Sequence, residues 1–217
     1  MERTITICAR AEAILPVDQV LLYVTLLGKD PNYENAASLE AKRLKLLEQA
    51  VKDCGFSQEA FKTNSYDIQT EYESYQDNGV YRNRLVGFLC RQELLLKMPF
   101  QTEILSKVLT AISGCGAQAE IRLEFTVKDS GEAEDALLQD AVRSGRARAQ
   151  LLCDAAGVKL GSLLQIEHNS APSHAVSETR FDAANTMLAS KRIAVPEMAP
   201  NGVTLQEEVQ LTWAIVE

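Results

Sequence analysis

Apolar and polar residues alternate along much of the chain, which predicts a protein rich in β-strands. Ile5 and Ile7 stand between threonines at the start, and this period of two is typical of a strand. The first long strand is predicted at 17–27, where nearly every residue is apolar and burial on both faces is expected. Residues 203–215 show the cleanest alternation, which predicts a closing strand with one buried face.

A helix is predicted after the first long strand, with Asp30 as its N-cap and Pro31 in its first turn. Gly55 is predicted to end this helix in the left-handed conformation. The apolar residues fall at helical spacing and mark one face: Ala37, Leu44, Leu47, Val51 and Cys54.

A long antiparallel hairpin is predicted next. Tyr66, Ile68, Thr70 and Tyr72 share one face of its first strand, and Asp67, Gln69, Glu71 and Glu73 share the other. This pattern indicates a strand with one wet face. Asn78-Gly79 tolerates the positive φ angles of a tight hairpin turn, and the returning strand is predicted at 81–96.

A second helix is predicted after Pro99 and a further strand at 119–127. The order from residue 17 is then β-α-β-β-α-β, the order of the ferredoxin-like split unit. The fold class predicted is α+β with a mainly antiparallel sheet, followed by a long helix and two further strands.

The long helix is predicted at 131–156, with Asp129 and Glu132 as a capping box and Gly157 as its end. Gly145 and Ala149 would let this helix approach its neighbour closely. Its predicted packing face is Leu138, Val142, Gly145, Ala149, Leu152 and Ala156. A strand is predicted at 163–168.

Residues 169–201 form the least patterned segment and contain three of the six prolines. We expect a long irregular excursion with a short helix at 182–190. Loops of this length in compact domains are usually functional, mobile or part of an interface. No linker-like stretch divides the chain, so a single domain over 1–217 is predicted.

Charge and hydropathy narrow the class of protein. With 22 Lys+Arg and 30 Asp+Glu the net charge is −8, which argues against a general nucleic-acid binder. No stretch has the ~20 apolar residues of a membrane span. The start of the chain lacks the apolar run of a secretory signal, so a cytoplasmic protein is expected unless a signal has been trimmed from the chain.

The candidate reactive residues are few. Five widely spaced cysteines without a C-x-x-C pair argue against a disulfide framework or zinc ribbon and favour reduced core residues. Cys115, between two glycines, is the alternative as a reactive thiol. His168 and His174, with Glu167 and Glu178 nearby, could bind a divalent metal, but solvated or hydrogen-bonded histidines are the favoured interpretation.

Other constellations also have simple structural interpretations. Arg143, Arg146 and Arg148 could hold a phosphate, but basic residues towards a helix C-terminus also match its dipole. The carboxylates Glu71, Glu73, Glu120 and Glu124 lie on predicted strand faces, and their strand order is unknown. No G-x-S-x-G, phosphate loop or G-x-G-x-x-G is present. We therefore assign no catalytic, cofactor-binding or metal residue and expect no enzyme activity and no cofactor.

Read in order, the chain resembles the SIMPL-domain family. The features that carry the resemblance are spread out: 3–7 (RTITI), 15–20 (LPVDQV), 141–161 (AVRSGRARAQLLCDAAGVKLG) and 203–215 after 193–196 (IAVP). The chain departs from the family in having Cys8-Ala9-Arg10-Ala11 where glycines are common, in inserting Val17, and in lacking an export signal.

The resemblance implies no enzyme activity, no cofactor and no agreed functional residues, since most bacterial members have no known function. It implies an ability to self-associate. We therefore expect a non-enzymatic interaction or assembly protein that forms a homo-oligomer, with a further protein partner possible, because strand edges can pair between subunits. The alternative is an enzyme or small-ligand binder with a site near 169–201.

Overall fold

The computed structural model describes residues 3–57, 59–77, 79–168, 175–183 and 199–216. Within these residues the chain forms eight strands and three helices. In chain order they are β1 (Thr4–Leu15), β2 (Gln19–Asp30), α1 (Tyr33–Asp53), β3 (Lys62–Asp77), β4 (Val80–Pro99), α2 (Thr102–Gly114), β5 (Glu120–Thr126), α3 (Gly131–Ala156), β6 (Lys159–His168), β7 (Val176–Ala183) and β8 (Val203–Val216). None of these helices has the length and hydropathy needed to cross a bilayer.

The strands form two sheets, which confirms the predicted α+β class with antiparallel pairing. One sheet has the order β1-β8-β6, and the other has the order β3-β4-β2-β5-β7. From β2 to β5 the elements follow the predicted order of strand, helix, two strands, helix and strand. The likeness to the ferredoxin-like unit itself stays a prediction.

The chain divides into two compact units, each built from separated segments. The first comprises residues 1–17, 126–178 and 201–217, and the second comprises residues 18–125 and 179–200. In the first unit α3 packs on β1 and β8, and in the second α1 packs on β2, β4 and α2. The prediction of a single domain over 1–217 stays a prediction.

The two N-terminal strands follow the hydrophobic pattern closely. β1 confirms the strand predicted from the first residues and continues to Leu15. β2 begins two residues after the start of the predicted strand 17–27 and ends three residues after its end. Val20, Leu22, Val24 and Leu26 are fully buried on one face of β2, while residues on the other face are mostly half-buried.

The predicted N-cap of the first helix is wrong by two residues. Asn32 caps α1, and its side chain accepts hydrogen bonds from the backbone N–H groups of Glu34 and Asn35. Asp30 instead accepts a hydrogen bond from the Asn32 backbone N–H at 2.8 Å, which fixes the turn before the cap. Gly55, with a φ of 100°, lies just beyond the end of α1 as predicted.

The long helix has the predicted bounds, but its buried face is different. The buried residues are Leu137, Ala141, Gly145, Ala149 and Cys153, of which the sequence predicted two. A Cβ on Gly145 would lie 2.7 Å from Leu211 Cδ1 and 3.1 Å from Ala9 Cβ, so the predicted close approach at this position is confirmed. The N-cap is Ser130 without a capping side-chain hydrogen bond, so the capping box is wrong, while Gly157 ends the helix with a φ of 72°.

The 169–201 segment is less irregular than predicted, because β7 lies within it. The helix predicted at 182–190 is wrong at its start, since Asp182 and Ala183 belong to this strand. The rest of that predicted helix lies outside the described residues. The strand predicted at 163–168, just before this segment, is β6, which begins four residues earlier at Lys159.

In the second unit, α1 approaches the sheet closely at Gly28 on β2. A Cβ there would lie 2.2 Å from the carbonyl oxygen of Ala36 and 3.0 Å from the backbone nitrogen of Glu40. Because both atoms belong to the α1 backbone, no side-chain rotation could relieve the overlap. The absence of a side chain at Gly28 therefore sets the distance between α1 and the sheet.

Replacing Gly28 by alanine should lower the free energy of unfolding by about 2 kcal/mol or more, because α1 must move away from β2. Gly114→Ala is the matched control, since a Cβ there would meet no atom within 4 Å. We expect that control to retain or slightly raise stability. Urea denaturation of both variants checks this, and equal losses would contradict the close contact.

Candidate functional site

The candidate metal residues do not come together in the described part of the chain. His168 Nε2 lies 2.9 Å from Glu207 Oε2, and Glu167 accepts hydrogen bonds from Gln165 and Gln210. His174 lies outside the described residues. Within the described ranges, no group of three or more histidine, cysteine or carboxylate side chains could hold a metal ion.

The arginines of α3 lie on its exposed face. Arg143 donates to the carboxylate of Asp140 at 3.1 Å, one turn earlier on the same helix. Arg146 and Arg148 are exposed as well. This arrangement supports the helix itself.

The cysteines differ in exposure. Cys90 and Cys153 are buried, as expected for core residues, whereas Cys54 and Cys115 are half-buried. Cys8 is exposed on β1, so the prediction that all five lie in the core is wrong for it. Burial raises the pKa of the Cys115 thiol, although backbone hydrogen bonding lowers it in part, and its Sγ donates to the carbonyl of Ile112. A raised pKa is the opposite of thiolate activation.

Three of the candidate carboxylates are held in ion pairs on strand surfaces. Glu71 lies 2.5 Å from Lys29 Nζ, Glu73 lies 2.8 Å from Arg84, and Glu124 lies 2.6 Å from Arg122. Partly exposed pairs of this kind contribute little to stability. On β3 the pairs neutralise the neighbouring acids Glu71 and Glu73.

The feature that the sequence did not predict is the β3–β4 hairpin face that carries Tyr66, Ile68 and Tyr72. The alternation correctly groups these residues, but the structure leaves both faces of β3 exposed almost along its whole length. We call this the hairpin apolar face. Its exposed members on β3 and β4 are Tyr66, Ile68, Tyr72, Tyr81 and Leu85.

The strand register places the members of the hairpin apolar face side by side. Tyr72 is directly opposite Leu85, and Gln76 is directly opposite Tyr81. Side chains at opposed positions lie on the same face, with Cβ atoms about 5 Å apart. Tyr81 is 77% exposed, Tyr72 is 61% exposed and Leu85 is 50% exposed, so no described residue covers them. Clustered exposed apolar side chains of this kind mark interaction surfaces.

A buried carboxyl lies where α1 crosses the sheet beside this hairpin. Glu40 is only 4% exposed, and its Oε1 has no hydrogen-bond partner among the described residues. Burial raises the pKa of Glu40. The pKa of Tyr66 is also raised, first by partial burial and then by neighbouring Cys90 and Glu40. Glu40 therefore belongs to the same end of the sheet as the hairpin.

The described residues of the second unit form several cavities, and two of them differ in position and lining. One, of about 300 Å³, opens on the sheet face opposite the helices and is lined by Tyr23, Arg91, Glu93, Arg122 and Asp182 among others. There the Arg122 guanidinium stacks over the Tyr23 ring at 4.1 Å. The other, of about 500 Å³, lies between the end of α1 and α2, with Cys54 and Lys107 in its wall. His168 lines neither cavity.

Comparison with protein families decides the relationship that the sequence pattern indicated. Residues 5–213 match the family SIMPL, described as a protein of unknown function (DUF541). The chain belongs to the SIMPL family. The match spans both compact units of this SIMPL chain and confirms the resemblance. A comparison with curated proteins finds no match.

Replacing Glu40 by glutamine should stabilise the SIMPL chain at neutral pH by on the order of 1 kcal/mol, because it removes a buried charge that lacks a full set of partners. The folded state raises the pKa of this carboxyl above its usual value of 4.5. Below that value both states are protonated, so the charge costs nothing. As pH rises through the folded-state pKa, the wild-type chain loses stability relative to the variant.

Thermal or urea unfolding of wild type and Glu40→Gln at several pH values measures this difference. Glu48→Gln, a partly exposed carboxyl on the same helix, is the matched control. A gain for Glu40→Gln that is equally large at pH 4 and pH 7 would show that ionisation is not its cause.

Proposed function

We propose that this SIMPL chain is a non-enzymatic assembly protein that associates with further copies of itself. The observation that carries the proposal is the hairpin apolar face, whose five members are between 43% and 77% exposed. The pairing of β4 with β2 ends at Phe88, so the outer part of the hairpin, with Tyr72 and Leu85, is a two-stranded ribbon that gains from packing against further structure. Covering this face with protein would supply that packing.

Charge favours a second copy as the occupant. β3 and β4 together carry five acidic residues, namely Asp67, Glu71, Glu73, Asp77 and Glu93, and five basic residues, namely Lys62, Arg82, Arg84, Arg91 and Lys97. The hairpin is therefore neutral, although the whole chain carries −8. Two like-charged chains repel least where their surfaces are neutral. A strongly basic partner would instead favour the acidic remainder of the surface.

Removing the apolar side chains at the centre of this face should weaken the assembly. The double variant Tyr72→Ser with Leu85→Ser is expected to raise the dissociation constant of self-association at least tenfold, since two large side chains lose their burial. Tyr75→Ser is the matched control. Tyr75 lies on the same strand but on the opposite face, and it is 40% exposed.

Sedimentation velocity over a range of concentrations measures the effect, with circular dichroism to check the fold. A lower native mass for the double variant, with an unchanged mass for Tyr75→Ser, is the expected result. Equal masses for wild type and the double variant would show that the hairpin apolar face takes no part in self-association.

One observation favours the alternative of small-ligand binding. The cavity of about 300 Å³ on the open sheet face includes Asp182, which lies in the segment 169–201 that the sequence singled out. Its lining combines two guanidinium groups, Arg91 and Arg122, with the Tyr23 ring and with three carboxylates, Glu93, Glu120 and Asp182. A thermal-shift screen with small carboxylic acids and phosphates tests this alternative, with Arg91→Ala as the variant that should abolish any shift.

A further inference from the structure

β1 is an edge strand with one open side. Among the described strands its hydrogen-bonded neighbour is β8 alone. The pairing runs through twelve consecutive residue pairs, from Thr4 opposite Ala214 to Leu15 opposite Val203, without a register shift. An unbroken strand of this length offers a regular row of backbone groups to a further strand.

The residues that face outwards follow from one hydrogen bond. The carbonyl of Arg3 accepts from the backbone N–H of Ile215 at 2.8 Å, so Arg3 directs its backbone groups towards β8. In an antiparallel pair every second residue of a strand directs its backbone N–H and C=O groups towards the same neighbouring strand. The odd-numbered residues of β1 therefore bond to β8, and the even-numbered residues point their N–H and C=O groups to the open side.

β1 also lacks the features that usually protect an edge. Proteins blunt edges with bulges, prolines or inward-pointing charges. The other edge strand of this sheet, β6, has two register shifts between Leu160 and Gln165. β1 has no proline and no bulge, and the side chains on its α3 side are all apolar: Ile5, Ile7, Ala9, Ala11, Ala13 and Leu15.

The charges on the other face of β1 are self-complementary. Arg10 and Glu12 are successive residues on this exposed face, and both direct their backbone groups outwards. In an antiparallel pair of two β1 strands centred on Ala11, Arg10 of each copy lies directly opposite Glu12 of the other. Opposed residues of opposite charge stabilise a strand pair, whereas like charges destabilise it.

We propose that two copies of this chain pair through β1, antiparallel and about a two-fold axis at Ala11. The two three-stranded sheets then form one sheet of six strands in the order β6-β8-β1-β1-β8-β6. This inference rests on the proposed self-association and adds a surface separate from the hairpin apolar face. Two such symmetric surfaces on one chain build assemblies larger than a dimer.

The register fits the backbone geometry. Arg10 and Glu12 form hydrogen-bonded pairs, because both have outward backbone groups, and the overlap of 7–15 gives roughly eight backbone hydrogen bonds. Ala11 then faces Ala11 in a non-hydrogen-bonded pair, where the strands approach most closely. Alanine is small enough for this position.

Neighbouring registers are disfavoured by charge. A shift by two residues in one direction centres the pair on Arg10 and places two arginines opposite each other. The opposite shift centres it on Glu12 and opposes two carboxylates. Shifts by one residue set outward backbone groups against inward ones, so Ala11 is the favoured centre.

Arg10 and Glu12 can pair with a second copy without giving up an existing contact within their own chain. Arg10 donates to Glu208 Oε2 from Nε and Nη2, which leaves further guanidinium donors for a carboxylate of the second copy. Glu12 is exposed and takes no part in the hydrogen bonds or ion pairs of the described residues. The second copy would supply its partner.

Site-specific disulfide formation tests the register. In a Cys8→Ser background, which removes the one exposed thiol, Ala11→Cys should give a disulfide-linked dimer under mild oxidation, because the paired Cα atoms lie within bridging distance. Ala13→Cys is the matched control on the same face of β1. In this register its two copies lie about 13 Å apart and should not cross-link.

Charge exchange tests the pairing independently. Arg10→Glu and Glu12→Arg should each raise the dissociation constant of the β1 pair at least tenfold, and a one-to-one mixture of the two variants should restore it. Glu208→Gln, which removes only the contact within one chain, should leave association unchanged. Circular dichroism confirms that each variant folds.

The outcomes separate this inference from the proposed function. A defined oligomer that cross-links through Ala11→Cys and not through Ala13→Cys supports both. An oligomer in which the two cysteine variants behave alike, or in which the charge mixture restores nothing, overturns the β1 pairing and leaves self-association standing. A chain that is monomeric at all concentrations overturns both.

Discussion

The backbone N–H and C=O groups at the edges of a sheet need hydrogen-bond partners, and this requirement decides which exposed strands of the protein can bind a further strand. Each of the two sheets ends in edge strands, and among them β1 and β3 are long. Water can satisfy such edges, but a second strand satisfies them while also burying the adjacent side chains. The edge strands of this molecule differ in the features that hinder the binding of a second strand.

The edges are treated differently along the chain. Bulges interrupt β6, and the outer acids of β3 at Glu71 and Glu73 are held by cations of the same chain. β1 has no bulge, and although Arg10 is paired with Glu208 of the same chain, Arg10 and Glu12 together match a second copy of themselves. A chain with a net charge of −8 gains most from association at surfaces where its charges balance. Both proposed surfaces meet that condition.

Periodicity predicted which residues share a face more reliably than whether that face is covered. It placed Tyr66, Ile68 and Tyr72 together, yet nothing in a period of two shows that these side chains stay 43% to 61% exposed although Glu40 of the packed helix neighbours Tyr66. In α3 it found the helix but rotated its buried face, because Leu138 and Leu152 are more hydrophobic than the small Ala141 that packs against the sheet. The cap of α1 was misplaced because Asp30 and Asn32 both have side chains suited to capping.

Both proposed surfaces require self-association, which sedimentation velocity of the unaltered chain in reductant tests most directly. The expected result is a species whose mass is a whole multiple, at least twofold, of the 23.9 kDa chain and which dissociates only on dilution. A single species of 23.9 kDa at every concentration studied would contradict it.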